Sequence, residues 1–327
     1  MKKVTVIVPA YNAAQYVSAA IDSVLGQTYK NIEVIVVDDG STDQTEEVVR
    51  RYGHQVRYIR QDNGGPSKAR NTGIRAADSK LLAILDADDV WLPEKILAQV
   101  DLLEENPDLD LVFCDAELID EDGRSYGSVW KQRGCYEAMV AESRRLAHPF
   151  ATIMMMDCIL PSAVLVRRTC LDRAGLFDES LRYTEHGGVE DKDLMLRIAL
   201  TSEMGCVPRV LMKRLRHGYS HSQVENVCES VIFVVRRMQQ LYPEQFVSEH
   251  IDTARLLAPT YYQLGRCYLD QDKLRAARRA FWESLRLRLS RSALGFWAVT
   301  LTGLITIRLL RRLKKIAVGR PVCQTSE

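Results

Sequence analysis

Three carboxylates fall within four consecutive residues, Asp86-Ala87-Asp88-Asp89, directly after the apolar run Leu81–Leu85. Acids this crowded repel one another, so the cluster must be solvated or neutralised by a cation. Hard oxygen ligands suit Mg²⁺ or Mn²⁺, which keep waters and are held by one or two carboxylates together with substrate phosphates. A solvated loop capping the helix at Trp91–Pro93 is the plain alternative. A second acidic pair, Asp38-Asp39, runs into Gly40-Ser41. Asp39-Gly40 alone is an ordinary turn, and Ser41 with Gln44 an ordinary capping box. After a buried strand, however, such an acid can accept from a base N–H or a ribose hydroxyl. A third pair, Glu190-Asp191, stands before Leu194-Met195-Leu196-Arg197. A carboxylate there also caps a helix and faces its positive end.

These acids need elements to position them. Val4–Val8, Glu33–Val37, Val56–Ile59 and Leu81–Leu85 are short apolar or β-branched runs. Helical spacing over Ala14–Leu25, Thr42–Arg51 and Ser67–Ala77 separates them, and Pro93 opens a further helix. Near-continuous apolar strands alternating with helices predict parallel βαβ units buried on both faces, hence an open, doubly wound α/β sheet. Tyr11 and Asn12 follow the first strand, and Asp38 and Asp39 the second. Gln61, Asp62 and Asn63 follow the third, and Asp86, Asp88 and Asp89 the fourth. Ligands of open parallel sheets bind outside the carboxyl ends of the strands, so these residues predict one cleft. Between 109 and 215 the pattern is less regular, with strand-like Leu111–Cys114 and Ala163–Val166 and a helical run near Asp191. After Ser220 the chain reads as helical. The predicted division is a catalytic domain over 1–220 (donor half 1–108, acceptor-side half 109–220) and a helical extension over 221–327.

Four blocks, taken together, resemble family 2 glycosyltransferases: VTVIVPAYN ending at Asn12, VVDDGSTD ending at Asp43, NGGPSKARNTG from Asn63 to Gly73, and LDADD from Leu85 to Asp89. The resemblance covers about residues 4–220. It implies a GT-A fold, a Rossmann-like mostly parallel sheet flanked by helices, here with an all-α C-terminal region. It also implies a nucleotide-sugar donor, with a UDP-sugar foremost, a divalent Mg²⁺ or Mn²⁺ at the D-x-D motif, and inversion at the anomeric carbon. Pro9, Tyr11 and Asp39 would surround the nucleobase and ribose, and Asp86 the ribose side. Lys68 and Arg70 would lie near the base and diphosphate, or else form a solvated helix start. Asp88 would hold the metal, with Asp89 sharing that duty. The family's catalytic base matches Asp191, with Glu190 beside it in the acceptor loop, and Gly187-Gly188 suggests a bendable segment. His217 resembles a late histidine that reaches the diphosphate or metal in some members, or is structural. Direct inversion needs no covalent nucleophile such as Cys158. Processive relatives carry a Gln-x-x-Arg-Trp signature, which this sequence lacks, so one sugar per encounter is expected.

Other classes are weakened by what is missing. A nucleotidyltransferase would carry a glycine-rich basic loop where Pro9-Ala10-Tyr11-Asn12 stands, and a non-catalytic glycan-binding module would not need Asp86, Asp88 and Asp191 together. A formal net charge of +1 gives no nucleic-acid footprint. Eight scattered cysteines without a C-x-x-C pair argue against zinc and against a disulfide scaffold. The opening apolar run stops at Pro9, too short for a signal peptide's core, so the expectation is a first strand in a cytoplasmic protein. Tyr261-x-x-Leu264-Gly265-x-x-Tyr268 with Ala277-x-x-x-Phe281 fits one tetratricopeptide-like hairpin over 256–289. The apolar helix expected over 293–315 is too short to span a bilayer and has a basic flank to 320. It either packs on the protein or lies on the inner membrane surface, which would suit a glycan or lipid-linked acceptor.

Overall fold

The structure, a computed structural model, describes residues 1–140, 144–156, 158–183, 189–216 and 221–301. The chain divides into two compact units, Met1–Gly218 with Glu244–Glu249, and Tyr219–Pro243 with His250–Glu327.

The described residues of the first unit build a nine-stranded sheet of order β3 (Val56–Arg60), β2 (Ile32–Asp38), β1 (Val4–Ala10), β4 (Leu81–Ile84), β8 (Leu165–Arg167), β6 (Leu109–Ile119), β9 (Glu203–Leu215) and β5 (Val90–Trp91), with β7 (Ser125–Ser128) pairing with β6. β1, β2, β3 and β4 pair in parallel. Val4, Val6, Ile7, Val8 and Val34–Val37 are buried, as expected of a sheet covered on both faces. Parallel pairing stops at β4. β8 lies antiparallel between β4 and β6. β9 then runs parallel to β6, while the short β5 and β7 add antiparallel edges. The sheet is therefore parallel in its donor-side half and mixed beyond it.

The helix predicted over Thr42–Arg51 is shorter, Thr45–Arg50, and the Ser41–Gln44 capping box does not form. Ser41 Oγ is occupied by the Asn12 N–H at 3.0 Å, and Thr42 N–H donates to Asn12 Oδ1 at 2.8 Å. Asn12 adopts φ 49° to make this link. Gly40, at φ 76°, turns the chain where a Cβ would stand 2.9 Å from Asn63 N.

In the second unit the helices Thr253–Asp270 and Leu274–Leu287 form a hairpin, with the Phe281 ring seated where a Gly265 Cβ would lie, 2.7 Å away. The helix Arg291–Leu301 packs back on that hairpin, its Phe296 ring stacked on Phe281 at 5.6 Å. The rest of the predicted tail helix, from 302 on, lies outside the described residues. Among the described residues no helix is long and apolar enough to cross a membrane, and every cysteine is a buried free thiol.

The helix Gly65–Ala76 touches β1 at its closest where Gly73 faces Ile7; an added Cβ would come within 2.3 Å of Ile7 Cγ2. Ile7 is fully buried and has no room to yield. Overpacking of this kind costs about 1–3 kcal/mol, more than the roughly 1 kcal/mol an alanine gains over glycine in a helix. Gly73→Ala is expected to lower the urea midpoint without changing the slope of the transition.

Candidate active site

The carboxyl ends of β1, β2 and β4 open into one cleft of about 490 Å³. Pro9, Tyr11, Asp39, Arg70, Asp86 and Asp88 all line it, together with Asn12, Tyr16 and Asn63. Five of the six residues expected around a donor are therefore in one place. Lys68 is the exception. Its aliphatic stem lies against Gly64, where a Cβ would meet it at 2.1 Å, and it does not line the cleft.

The two acids of the first pair part company. Asp38 is fully buried; its Oδ1 accepts from Ser41 N–H at 2.8 Å and its Oδ2 from the Tyr58 hydroxyl at 2.5 Å. Burial, reinforced by that bond to Asp38, pushes the Tyr58 phenol up to about 12. Asp39 instead closes the loop in front of the helix Gly65–Ala76. Its Oδ1 accepts from Gln61 Nε2 and Gly64 N–H, both at 2.7 Å, and its Oδ2 from Gly65 N–H at 2.6 Å. One edge of this clamp faces the cleft.

Arg70 is not a solvated helix start: only 4% of it is exposed. Nη1 donates to Asp191 Oδ1 at 2.7 Å and lies 3.5 Å from Glu190 Oε1, while Nη2 donates to Asp86 Oδ1 at 2.8 Å. Its guanidinium stands 5.2 Å over the Phe177 ring. That ring is held from the same helix, since Asn71 Nδ2 donates to Phe177 O and Asn71 Oδ1 accepts from Phe177 N–H. Burial works against the cation, but Asp191 and Asp86 outweigh it and drive its pKa higher still.

Asp191 opens the helix Glu190–Ala199 and keeps 27% of its side chain open. Its carboxyl is pushed up to about 7, chiefly by burial, against the pull of Arg70 and with Glu190 and Asp86 adding repulsion. It does not line the cleft itself, but one guanidinium joins it to Asp86, which does. Glu190 is buried beneath this bridge and not displayed to an acceptor.

Asp89 does not share the position of Asp88. It is buried, bonds to Ser162, and is pushed up to about 8, mainly by burial and then by Asp86. Its carboxyl is turned into the protein and does not line the cleft beside Asp88. Among the described residues no group of three or more His, Cys, Asp or Glu side chains is placed to hold a metal ion. His217, Gly187 and Gly188 lie outside the described residues.

One residue that sequence reasoning did not single out anchors the acidic loop of the site. Ser162 Oγ accepts from Asp86 N–H at 3.0 Å, and Ser162 O accepts from Trp91 Nε1 at 2.8 Å, so one serine holds both ends of the acidic loop. Asn12, expected at the cleft from its place after the first strand, lines it and also bonds to the 41–42 turn. A serine after Pro161 has no local signature, and only the pairing of β8 beside β4 brings it here.

Residues 5–158 match the model for glycosyl transferase family 2. An uncharacterized glycosyltransferase of Rickettsia prowazekii is 38% identical over 217 residues, 66% of this chain and 64% of that protein. The glycosyltransferase GlyA of Streptococcus pneumoniae is 44% identical over 95 residues, 28% of this chain and 14% of that protein. The match thus spans just under two thirds of the rickettsial relative. Among solved structures, S. aureus TarS 1–349 in complex with UDP-GlcNAc superposes with a TM-score of 0.61 at 19% identity, over 91% of this chain and 90% of that one. Its complex with UDP superposes with a TM-score of 0.56 at 18% identity, with the same coverage. This likeness shows the fold, the GT-A arrangement. The stretch matched by that family model supplies every residue lining the cleft, so the site lies within the part of the chain that is similar to glycosyl transferase family 2.

Proposed function

We propose that the chain transfers a sugar from a nucleoside-diphosphate donor to an acceptor hydroxyl, with inversion at the anomeric carbon and one sugar per encounter. The observation that carries this reading is the single bridge Asp86–Arg70–Asp191, which ties a carboxylate to the edge of a cleft lined by Pro9, Tyr11, Asp39, Asp86 and Asp88. A UDP-sugar is the favoured donor: S. aureus TarS, which shares the fold, has been solved with UDP and with UDP-GlcNAc. A glycan or lipid-linked glycan is the proposed acceptor.

In this reading Tyr11 and Pro9 pack against the base, and the cleft-facing edge of Asp39 accepts from a base N–H or a ribose hydroxyl. Asp86 meets the ribose side. Asp88, which lines the cleft close to Asp86, would hold a Mg²⁺ or Mn²⁺ together with the donor's phosphates. The lack of a three-ligand protein cage among the described residues suits a site that substrate oxygens complete. When bound, the cation neutralises charge gathering on the departing diphosphate. Asp191 accepts the proton of the attacking hydroxyl, the work of a general base, which is most effective when its pKa lies near the working pH. Arg70 holds Asp191 in place and fixes its distance from Asp86.

Donor binding across a panel of nucleotide sugars, with and without Mn²⁺ or Mg²⁺, tests the class. One donor is expected to bind in a metal-dependent way, and Asp88→Ala to abolish that dependence; no binding of any donor would point to a non-catalytic module. Asp191→Asn should bind the donor as the wild type does yet turn over about 10²–10⁴-fold more slowly, as single-turnover kinetics would show. Because Asp191 works as the base and its pKa stands at about 7, kcat/KM should rise tenfold per pH unit below pH 7 and level off above it. The same upward shift means the native state binds a proton that the unfolded chain releases. Wild-type stability relative to Asp191→Asn should therefore fall as pH climbs from about 4 to about 7, measured by urea titration. Arg70→Met, which leaves buried acids unpaired, is expected to lower stability by about 3–5 kcal/mol.

A further inference from the structure

The second unit carries a surface that the transfer chemistry does not use. On the helix Leu274–Leu287, Arg275, Arg279, Trp282 and Arg286 recur at helical spacing and are all exposed. On the helix Arg291–Leu301, Leu294, Trp297 and Leu301 form a stripe of the same kind. The Trp282 and Trp297 rings meet at 5.7 Å with a 35° tilt, so the two stripes are neighbours. Leu289, in the connection between the helices, is 89% exposed, Leu294 54%, Leu301 52% and Trp282 49%. Arg288 and Arg291 flank Leu289 and are exposed as well. The acid in this neighbourhood is Glu283, which pairs with Arg286 at 3.3 Å.

Leucines left in water cost free energy, and the arginines set around them outnumber Glu283 and repel one another. Both costs vanish at an interface that is apolar inside and anionic outside. Tryptophan favours the headgroup level of such an interface, and each arginine near an anionic bilayer adds to the attraction. A nucleic acid would use the arginines but not the leucines. The chain's own residues 302–327 carry Arg308, Arg311, Arg312, Lys314, Lys315 and Arg320 against a single acid, Glu327. That segment cannot neutralise this face, and it favours the same anionic partner.

We propose that the face formed by Trp282, Leu289, Leu294, Trp297 and Leu301, with its surrounding arginines, docks the chain on an anionic lipid surface. Docking relies on this folded face and not on the basic tail alone, and it does not depend on the donor chemistry. The test uses the full chain, sedimented with vesicles of phosphatidylcholine alone or of equimolar phosphatidylcholine and phosphatidylglycerol, while tryptophan emission is recorded. Trp91 and Trp130 are buried, so a change in emission reports Trp282 and Trp297. Expected are sedimentation and a blue shift with the anionic vesicles only, both weakening as salt is raised. Arg279→Glu and Arg288→Glu should each weaken binding about fivefold or more. Leu289→Asp combined with Leu294→Asp should abolish the blue shift while leaving the thermal unfolding curve in place. The proposal is overturned if the wild type does not sediment with anionic vesicles, or if the variants bind like the wild type, which would place the contact in 302–327. It is equally overturned if polyglutamate gives the blue shift and vesicles do not, which would make the partner an acidic protein. Donor hydrolysis in solution, assayed in parallel, should be unchanged in every variant, so a failure here leaves the proposed transfer reaction standing.

Discussion

One buried guanidinium answers to three carboxylates, and the arrangement of the site follows from that imbalance. Arg70 comes from the helix after the third strand, Asp86 from the loop after the fourth, and Glu190 and Asp191 from a helix more than a hundred residues later. A buried cation without partners would be prohibitive, and three clustered carboxylates without a cation would repel one another. Each therefore requires the others, and the two halves of the unit are fixed to one another through a group that has no freedom to let go. A single positive charge cannot balance three negative ones. Burial is the main force that raises the affinity of Asp191 for a proton, and repulsion from Glu190 and Asp86 adds to it against the pull of Arg70.

The same chemistry is sorted elsewhere by depth. Asp38 and Asp39 are adjacent, yet one serves the turn and a tyrosine while the other clamps a loop and borders the cleft. Asp88 and Asp89 are adjacent too, and burial separates a cleft-lining acid from one held against Ser162. Asp38 and Asp39 leave the end of β2 on opposite sides of the chain, whereas Asp88 and Asp89 are parted by the turn in which Asp89 N–H donates to Asp86 O at 3.0 Å.

The donor-side half was legible because its signals are local. Buried strands read as apolar runs, and their polar followers at each carboxyl end mark the cleft without any tertiary knowledge. Boundaries failed where side chains compete with the backbone, as when Asn12 takes the hydroxyl of Ser41 that would otherwise cap a helix. The second half was harder to read. β9 carries Pro208 in the middle of its run and mixes exposed with buried positions, and its partner β6 lies about ninety residues earlier. Lys68 and Arg70 looked alike as cations at a helix start, and only remote residues decide that one lies along Gly64 while the other is sealed beneath three acids. Ser162 gave no sign at all, since its importance arises entirely from where β8 enters the sheet.

The contact between Gly73 and Ile7 has a mechanical consequence. Most helices rest on a sheet through side chains that can change rotamer and absorb a displacement. Here helix backbone meets the strand's side chain directly, with nothing compliant between them. Arg70 stands almost one turn from that contact on the same helix. Its guanidinium is thus mounted on a stiff support, and forces arising at one end of the Asp86–Arg70–Asp191 bridge are transmitted to the other instead of being dissipated in the packing beneath it.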